Sequence, residues 1–361
     1  MGGGKRLWPL SVLLLALCAA LWGIRAGGGA VPAAEYDTMV QAAQRFEAAC
    51  GYVRGLRGDM GLALDVEDRM GIGLMGSELT AITTTLGDPA AKRTAQTPDM
   101  AALCVRLLCE AGVKPGDRVG ACMSGSFPGL NIALVCACEV MGAELVYTAS
   151  VGASSYGANL PELTSPELLL ALCEAGILHT PPVSISAGGD NDSGVNMLGH
   201  ILEEEALIQS TLERVQGRGV PFVCHPELAD NVAYHAGLYG DIDCFVNVGG
   251  TVVGSGSNLV ILGLGQGLLE GDGVTYQEGS GLLEYYLAQG VPSIHLLNIK
   301  QLCLAYGIPF DPAAVPETGR SGVYFEKSYP RWAVALTGLL AVSALAVYGW
   351  KKQKHKEGMM G

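Results

Sequence analysis

Two charge-free runs bracket the chain, residues 7–24 (18 residues) and 332–350 (19 residues), and between them apolar positions switch repeatedly from helical to strand-like spacing. Each run is about 27–29 Å long as a helix, enough to span a hydrocarbon core. After a glycine hinge (Gly27, Gly28, Gly29), Met39, Val40, Ala43, Phe46 and Val53 recur near helical spacing and predict a helix over 35–57. Pro98-Asp99 opens a second helix, with Met100, Leu103, Leu107 and Leu108 on one side and Gly112 at its end. A turn at 114–117 then leads into a strand over 118–123.

The alternation continues with a helix over 126–141, a strand over 144–150, a helix over 165–175 and a strand-like run over 180–186. Pro181-Pro182 predicts that this last run lies at a sheet edge. A helix over 197–216, a strand over 221–224, a helix near 227–239 and strands over 244–248 and 259–264 follow. Strands alternating with helices predict an α/β fold, a mostly parallel sheet with helices on both faces, Rossmann-like and flanked by two transmembrane helices. The continuous apolar strands fit burial on two sides.

Composition sharpens the membrane expectation. All four tryptophans, Trp8, Trp22, Trp332 and Trp350, sit at the ends of the two charge-free runs, where an indole suits the lipid–water boundary. Lys5 and Arg6 precede the first run, and Lys351, Lys352, Lys354 and Lys356 follow the second. Cations concentrate on cytoplasmic flanks, so both termini are expected inside, with a two-pass topology in the cell membrane. The expected organisation is a cytoplasmic tail (1–6), a transmembrane helix (7–24), a hinge and membrane-proximal helix (25–57), an extracytoplasmic α/β domain (58–325), a transmembrane helix (332–350) and a basic cytoplasmic tail (351–361). A cleaved signal peptide is the competing reading of the first run, with 31–33 or the glycines after Arg25 as cleavage region. A lipid-modified Cys18 is disfavoured by the leucine before it.

Charge and cysteine bound the chemistry. Residues 7–350 hold 16 Lys/Arg against 34 Asp/Glu, which excludes a nucleic-acid face. Ten of the eleven cysteines, all but Cys18, lie in the stretch placed outside (26–330), without CxxC pairs or zinc spacing. They read as small buried hydrophobes, which fits a reducing exterior. A cytosolic domain is the alternative, at odds with the flanking charges.

Four loops that follow strands share one chemistry of small residues, hydroxyls and amides: 124–128, 150–159, 188–194 and 247–251. In open α/β sheets ligands bind beyond such strand ends, and Ser126, Ser154 and Ser155 stand where N–H and hydroxyl groups can hold a carboxylate or phosphate. Helix capping and tight turns use the same residue types. Candidate ligand-binding residues are Lys92, Arg93, Ser126, Ser154, Ser155, Asn159, Asp190, Asp192, Gly249 and Gly250. Weaker catalytic candidates are Ser124 or Ser126 as nucleophile, with His225 as base oriented by Asp190 or Asp192. Residues 121–125 resemble a nucleophile elbow with alanine replacing its first glycine. No G-x-G-x-x-G follows a strand, no P-loop lysine follows the Gly-rich runs and no HExxH occurs; Asp190-Asn191-Asp192 lacks the rest of a calcium loop, and neither cofactor nor metal is expected.

The segments GDPAAKRTAQTPDMAAL (87–103), GACMSGSFPGLNIAL (120–134), SVGASSYGANLPELT (150–164), GGDNDSG (188–194) and FVNVGG (245–250) together resemble the poly-gamma-glutamate system protein family. The resemblance covers roughly 35–325. It implies a membrane-anchored accessory component of poly-gamma-glutamate biosynthesis or export, with subunits of the synthase and export complex and the lipid bilayer as partners. It supplies no catalytic residues. Alternatives are a serine-dependent gamma-glutamyl hydrolase or transferase, and an extracytoplasmic small-ligand sensor.

Overall fold

A computed structural model describes residues 4–357 except 259, 270 and 272; the side chains of 4–13, 26, 262, 347 and 350–357 are also outside the description. In chain order the elements begin with α1 (Gly4–Ala26), β1 (Gly29–Pro32), α2 (Tyr36–Asp59), α3 (Pro89–Ala95), α4 (Asp99–Glu110), β2 (Arg118–Met123) and α5 (Pro128–Met141). They continue with β3 (Glu144–Ser150), β4 (Asn159–Leu160), β5 (Leu163–Thr164), α6 (Ser165–Glu174), β6 (Ser184–Ser186), α7 (Glu205–Gln216), β7 (Phe222–Val223) and α8 (Leu228–Tyr239). The last are β8 (Cys244–Val248), α9 (Val252–Ser255), β9 (Gly267–Leu269), α10 (Leu282–Ala288), β10 (Ser293–Leu296), α11 (Ile299–Tyr306), β11 (Phe325–Ser328) and α12 (Arg331–Glu357).

The chain divides into two units, one comprising everything up to Ala33 and from Phe325 onward, the other Ala34–Tyr324. In the first, β1 and β11 pair antiparallel from Gly29↔Ser328 to Pro32↔Phe325, and α1 and α12 pack together. Gly29, the last of the three expected hinge glycines, begins this ribbon. A Cβ on Gly28 would sit 3.3 Å from the Tyr329 ring, so the small residue allows that approach. Among the described residues no helix is long and apolar enough to cross a membrane, so the two flanking spans gain no support from the structure. The side chains of 7–13, 347 and 350, inside the two charge-free runs, are outside the description.

The second unit is built on a seven-stranded sheet in the order β7-β6-β3-β2-β8-β10-β9, parallel except for β9 at one edge. This is the expected Rossmann-like, mostly parallel arrangement. Alternation along β2 divides its side chains between two faces. A Cβ on Gly120 would meet Ile242 and Tyr239, and Cys122 packs with Tyr239, Phe245, Leu282 and Tyr286, which places α8 and α10 on that face. On the other side α4 and α5 pack on one another under α2. Of the eleven free cysteines, Cys50, Cys104, Cys122, Cys136, Cys138, Cys244 and Cys303 are buried, as small hydrophobes would be; Cys224 is exposed.

Three segments depart from the expectation. Residues 184–186 form an interior strand because Pro181 and Pro182 precede the ladder and remove none of its donors. The helix expected over 197–216 begins only at Glu205, after a 3-10 turn at Leu198–His200 and a positive φ of 59° at Glu203. The apolar run near 259–264 is a 3-10 turn, Val260–Gly263, started by the Asn258 carboxamide accepting the Val260 N–H; Leu259 lies outside the described residues.

Candidate functional site

Strand order reverses between β2 and β8, and the loops leaving their C-terminal ends diverge to open a crevice. A cleft of about 380 Å³ lies there, within the range of small-molecule sites. Ser124 and Ser126 reach it from β2, Ser154 from β3, Gly188 to Asp190 from β6, Gly250 and Thr251 from β8, and Asn298 and Lys300 from β10. Thr84 to Asp88 closes one side.

Lys92 sets the electrostatics of this cleft. It projects from α3, which starts cleanly because Asp88 caps the Ala90 N–H and Pro89 presets the first helical φ. Its residue is only 5% exposed, and the ammonium lies 3.8 Å from the centroid of the Phe127 ring. Nζ donates to Ser154 Oγ at 2.7 Å and to the Ser126 carbonyl. Burial pushes the amine from its ordinary 10.5 down to about 7, while Asp88 pulls the other way. Near neutral pH the amine thus exchanges readily between charged and neutral forms.

The serine loops brace one another around this amine. Ser124 Oγ accepts the Ser126 N–H at 3.1 Å, and Ser126 Oγ accepts the Ser154 N–H at 3.0 Å. Beneath them, buried Asn131 of α5 donates to the Ser124 carbonyl at 2.8 Å and to Ser165 Oγ at 3.0 Å. On the β8 side, Asn247 is within bonding distance of the Gly249 carbonyl, Ser255 Oγ and His295 Nδ1. Burial lowers the His295 imidazole to about 4, so it is neutral and accepts there.

No family model, curated protein or solved structure matches this chain.

The cleft gathers Lys92, Ser124, Ser126, Ser154, Asp190 and Gly250 from among the expected residues. The others lie elsewhere. Arg93 points away and clamps Asp311, with Nε–Oδ1 at 2.6 Å and Nη2–Oδ2 at 3.0 Å, and also contacts Glu67. Ser155 is buried, with its hydroxyl 3.4 Å from the Thr85 carbonyl. Asn159 braces Ser77 and Thr83. Gly249 sits behind the wall, where a Cβ would fall 2.7 Å from Ser124 Cβ. His225 does not line the cleft; its N–H is held by Asn231. Asp192 accepts the Gly188 N–H at 2.9 Å and lies 3.6 Å from Nε2 of His235, a fully buried histidine that the sequence reading passed over.

Sequence reasoning missed most of the closing loop and the β10 side with Asn298, Lys300 and Phe310; Thr251 lay in the expected 247–251 loop without being singled out. The hydroxyl run Thr83-Thr84-Thr85 and the Asp88-Pro89 helix start were available signals for the first. Among the described residues, no group of three or more His, Cys, Asp or Glu side chains is placed to hold a metal ion.

Proposed function

We propose that this chain is a membrane-anchored component of poly-gamma-glutamate biosynthesis or export whose α/β unit takes up a small polar ligand in the strand-edge cleft. The observation that carries the ligand half is Lys92, a buried amine set among hydroxyls in the wall of an open cleft at the sheet's reversal point. A ligand carboxylate or phosphate approaching it favours the charged amine and gains a charge-assisted hydrogen bond. The size of the cleft suits one residue or a chain end rather than a polymer.

The system assignment is supported by the sequence resemblance over 35–325, and the anchoring by the two charge-free runs and their terminal tryptophans. Leu14, Leu15, Leu339 and Leu345, each more than 60% exposed on the helix pair, are surface that lipid would cover. The acidic excess of 34 over 16 between the tails disfavours a surface that holds the polyanion along its length.

Thermal-shift titration of the detergent-solubilised chain with glutamate, short gamma-glutamyl oligomers and nucleotides tests the ligand half. A saturable rise in melting temperature that Lys92→Met abolishes is expected. No shift with any of the three classes would remove the reading. Co-purification with synthase subunits from producing cells tests the system assignment, and repeated absence from that complex would count against it.

A further inference from the structure

We propose that Ser154 and Lys92 form a nucleophile–base pair that cleaves a small ester or amide in the cleft. The proposal rests on the cleft being a ligand site and adds a reaction to it. Its foundation is geometric: of the three serines in the wall, Ser154 is the one whose Oγ touches the amine, at 2.7 Å. Ser124 Oγ and Ser126 Oγ instead meet the backbone N–H groups of Ser126 and Ser154.

The surroundings suit a base in either protonation state. One N–H of Lys92 is taken by the Ser126 carbonyl whether the amine is neutral or charged. The second position faces Ser154 Oγ, as donor when charged and as acceptor of the Ser154 hydroxyl proton when neutral. The Phe127 ring, 3.8 Å from Nζ to its centroid, tolerates the cation. Gly87 completes the arrangement. A Cβ there would stand 2.5 Å from the Ser155 carbonyl, 3.0 Å from Lys92 Cε and 3.4 Å from Ser154 Oγ, so only glycine lets the 84–88 loop close over the pair.

The chemistry balances with water as the single co-reactant. Neutral Lys92 takes the Ser154 hydroxyl proton as Oγ bonds to the substrate carbonyl carbon. The tetrahedral adduct expels an alcohol or amine, which leaves with the proton held by Lys92, and the acyl group remains on Oγ. A water then gives its proton to Lys92 as its oxygen adds to the acyl carbon. The bond to Oγ breaks, Ser154 recovers the proton, and the carboxylic acid departs.

The test is covalent labelling of the solubilised full chain with an alkyl fluorophosphonate, the adduct being located by peptide mass spectrometry. Phosphonylation of Ser154 with loss of fluoride is expected, at a rate that rises with pH through about 7, where Lys92 loses its proton. Asp88 beside the amine, and Asp190 and Lys300 lining the same cleft, are the other charged groups facing the reaction. Lys92→Met should slow labelling roughly 100-fold or more, the usual share of a general base, and Ser154→Ala should abolish it. Circular dichroism shows whether each variant is folded; if Lys92→Met is not, the wild-type pH profile decides alone. No adduct at pH 8 on folded protein, an adduct on another residue, or a rate flat between pH 6 and 8 would overturn the pair. A thermal shift without labelling would leave ligand binding standing and remove the reaction.

Discussion

Replacing Lys92 with methionine should change how stability depends on pH, by an amount set by the burial of the amine. The folded protein holds the amine near 7, whereas the unfolded chain holds it at its ordinary 10.5. Between those values the unfolded state binds a proton that the folded state does not, so the wild type gains stability as pH rises. The full difference, roughly 3.5 pK units at 1.36 kcal/mol each, is about 5 kcal/mol of low-pH penalty that the methionine variant escapes. Lys92→Met should therefore lead the wild type by most at pH 6. Its lead should narrow as pH rises above 7, by roughly 2–3 kcal/mol between pH 7.5 and 9.5. Urea unfolding of the two full-length chains, followed by far-ultraviolet circular dichroism at several pH values, measures this gap. The buried thiols of Cys104 and Cys122, pushed up to about 12 by burial, also titrate differently on unfolding, but they do so in both chains and cancel. A gap constant within about 0.5 kcal/mol over that range, or one that widens with pH, would refute the buried-amine account.

Other substitutions test the parts around the amine. Asn131→Ala removes two buried bonds under the Ser124 loop and should cost about 2–3 kcal/mol in urea unfolding; a loss below about 0.5 kcal/mol would mean that the loop is held otherwise. Gly87→Ala puts a Cβ 2.5 Å from the Ser155 carbonyl, so it should cost roughly 1–3 kcal/mol and slow Ser154 labelling. Labelling and melting unchanged from the wild type would refute that close approach. Arg93→Met removes the guanidinium whose hydrogen bonds hold Asp311 below its usual range. A depressed carboxylate contributes stability that is present above its unfolded pKa and fades as pH falls through its folded one. The variant should thus lose about 2 kcal/mol at pH 7 and show a shallower acid decline than the wild type, and parallel acid limbs would contradict the pairing.

The sheet was legible where burial on both sides made the strands apolar: residues 118–123, 144–150 and 244–248 are strands with the expected bounds. Legibility fell where local polar chemistry overrode apolarity. The Asn258 carboxamide turns the run after it into 3-10 geometry, and the C-terminal third escaped because β9 and β10 are only three and four residues long. The β1–β11 ribbon pairs residues nearly three hundred positions apart, and no local pattern encodes that. The cleft was foreseen at the strand ends, but burial sorted its residues. Lys92 and Arg93 are adjacent in sequence; the helix directs one into the cleft and the other to Asp311.

Capping and ligand binding were competing readings of the serine-rich loops, and the hydrogen bonds show how one set of residues serves both. Ser124 and Ser126 each accept one backbone N–H, and Asn131 fixes the loop from below. That bracing orders the backbone of Ser154, whose amide is held by Ser126 while its hydroxyl meets Lys92. Loops that only capped helices would leave each hydroxyl on its own helix's first turn. Here the bonds run from the β2 loop to the β3 loop and end on a buried amine contributed by α3. A side chain as long as lysine loses about 2 kcal/mol of rotamer entropy when fixed, and burial adds the proton-affinity penalty worked out above. Two loops and a helix that together position one buried amine beside one hydroxyl, at the open end of the sheet, fit a site that takes a ligand better than a set of turns.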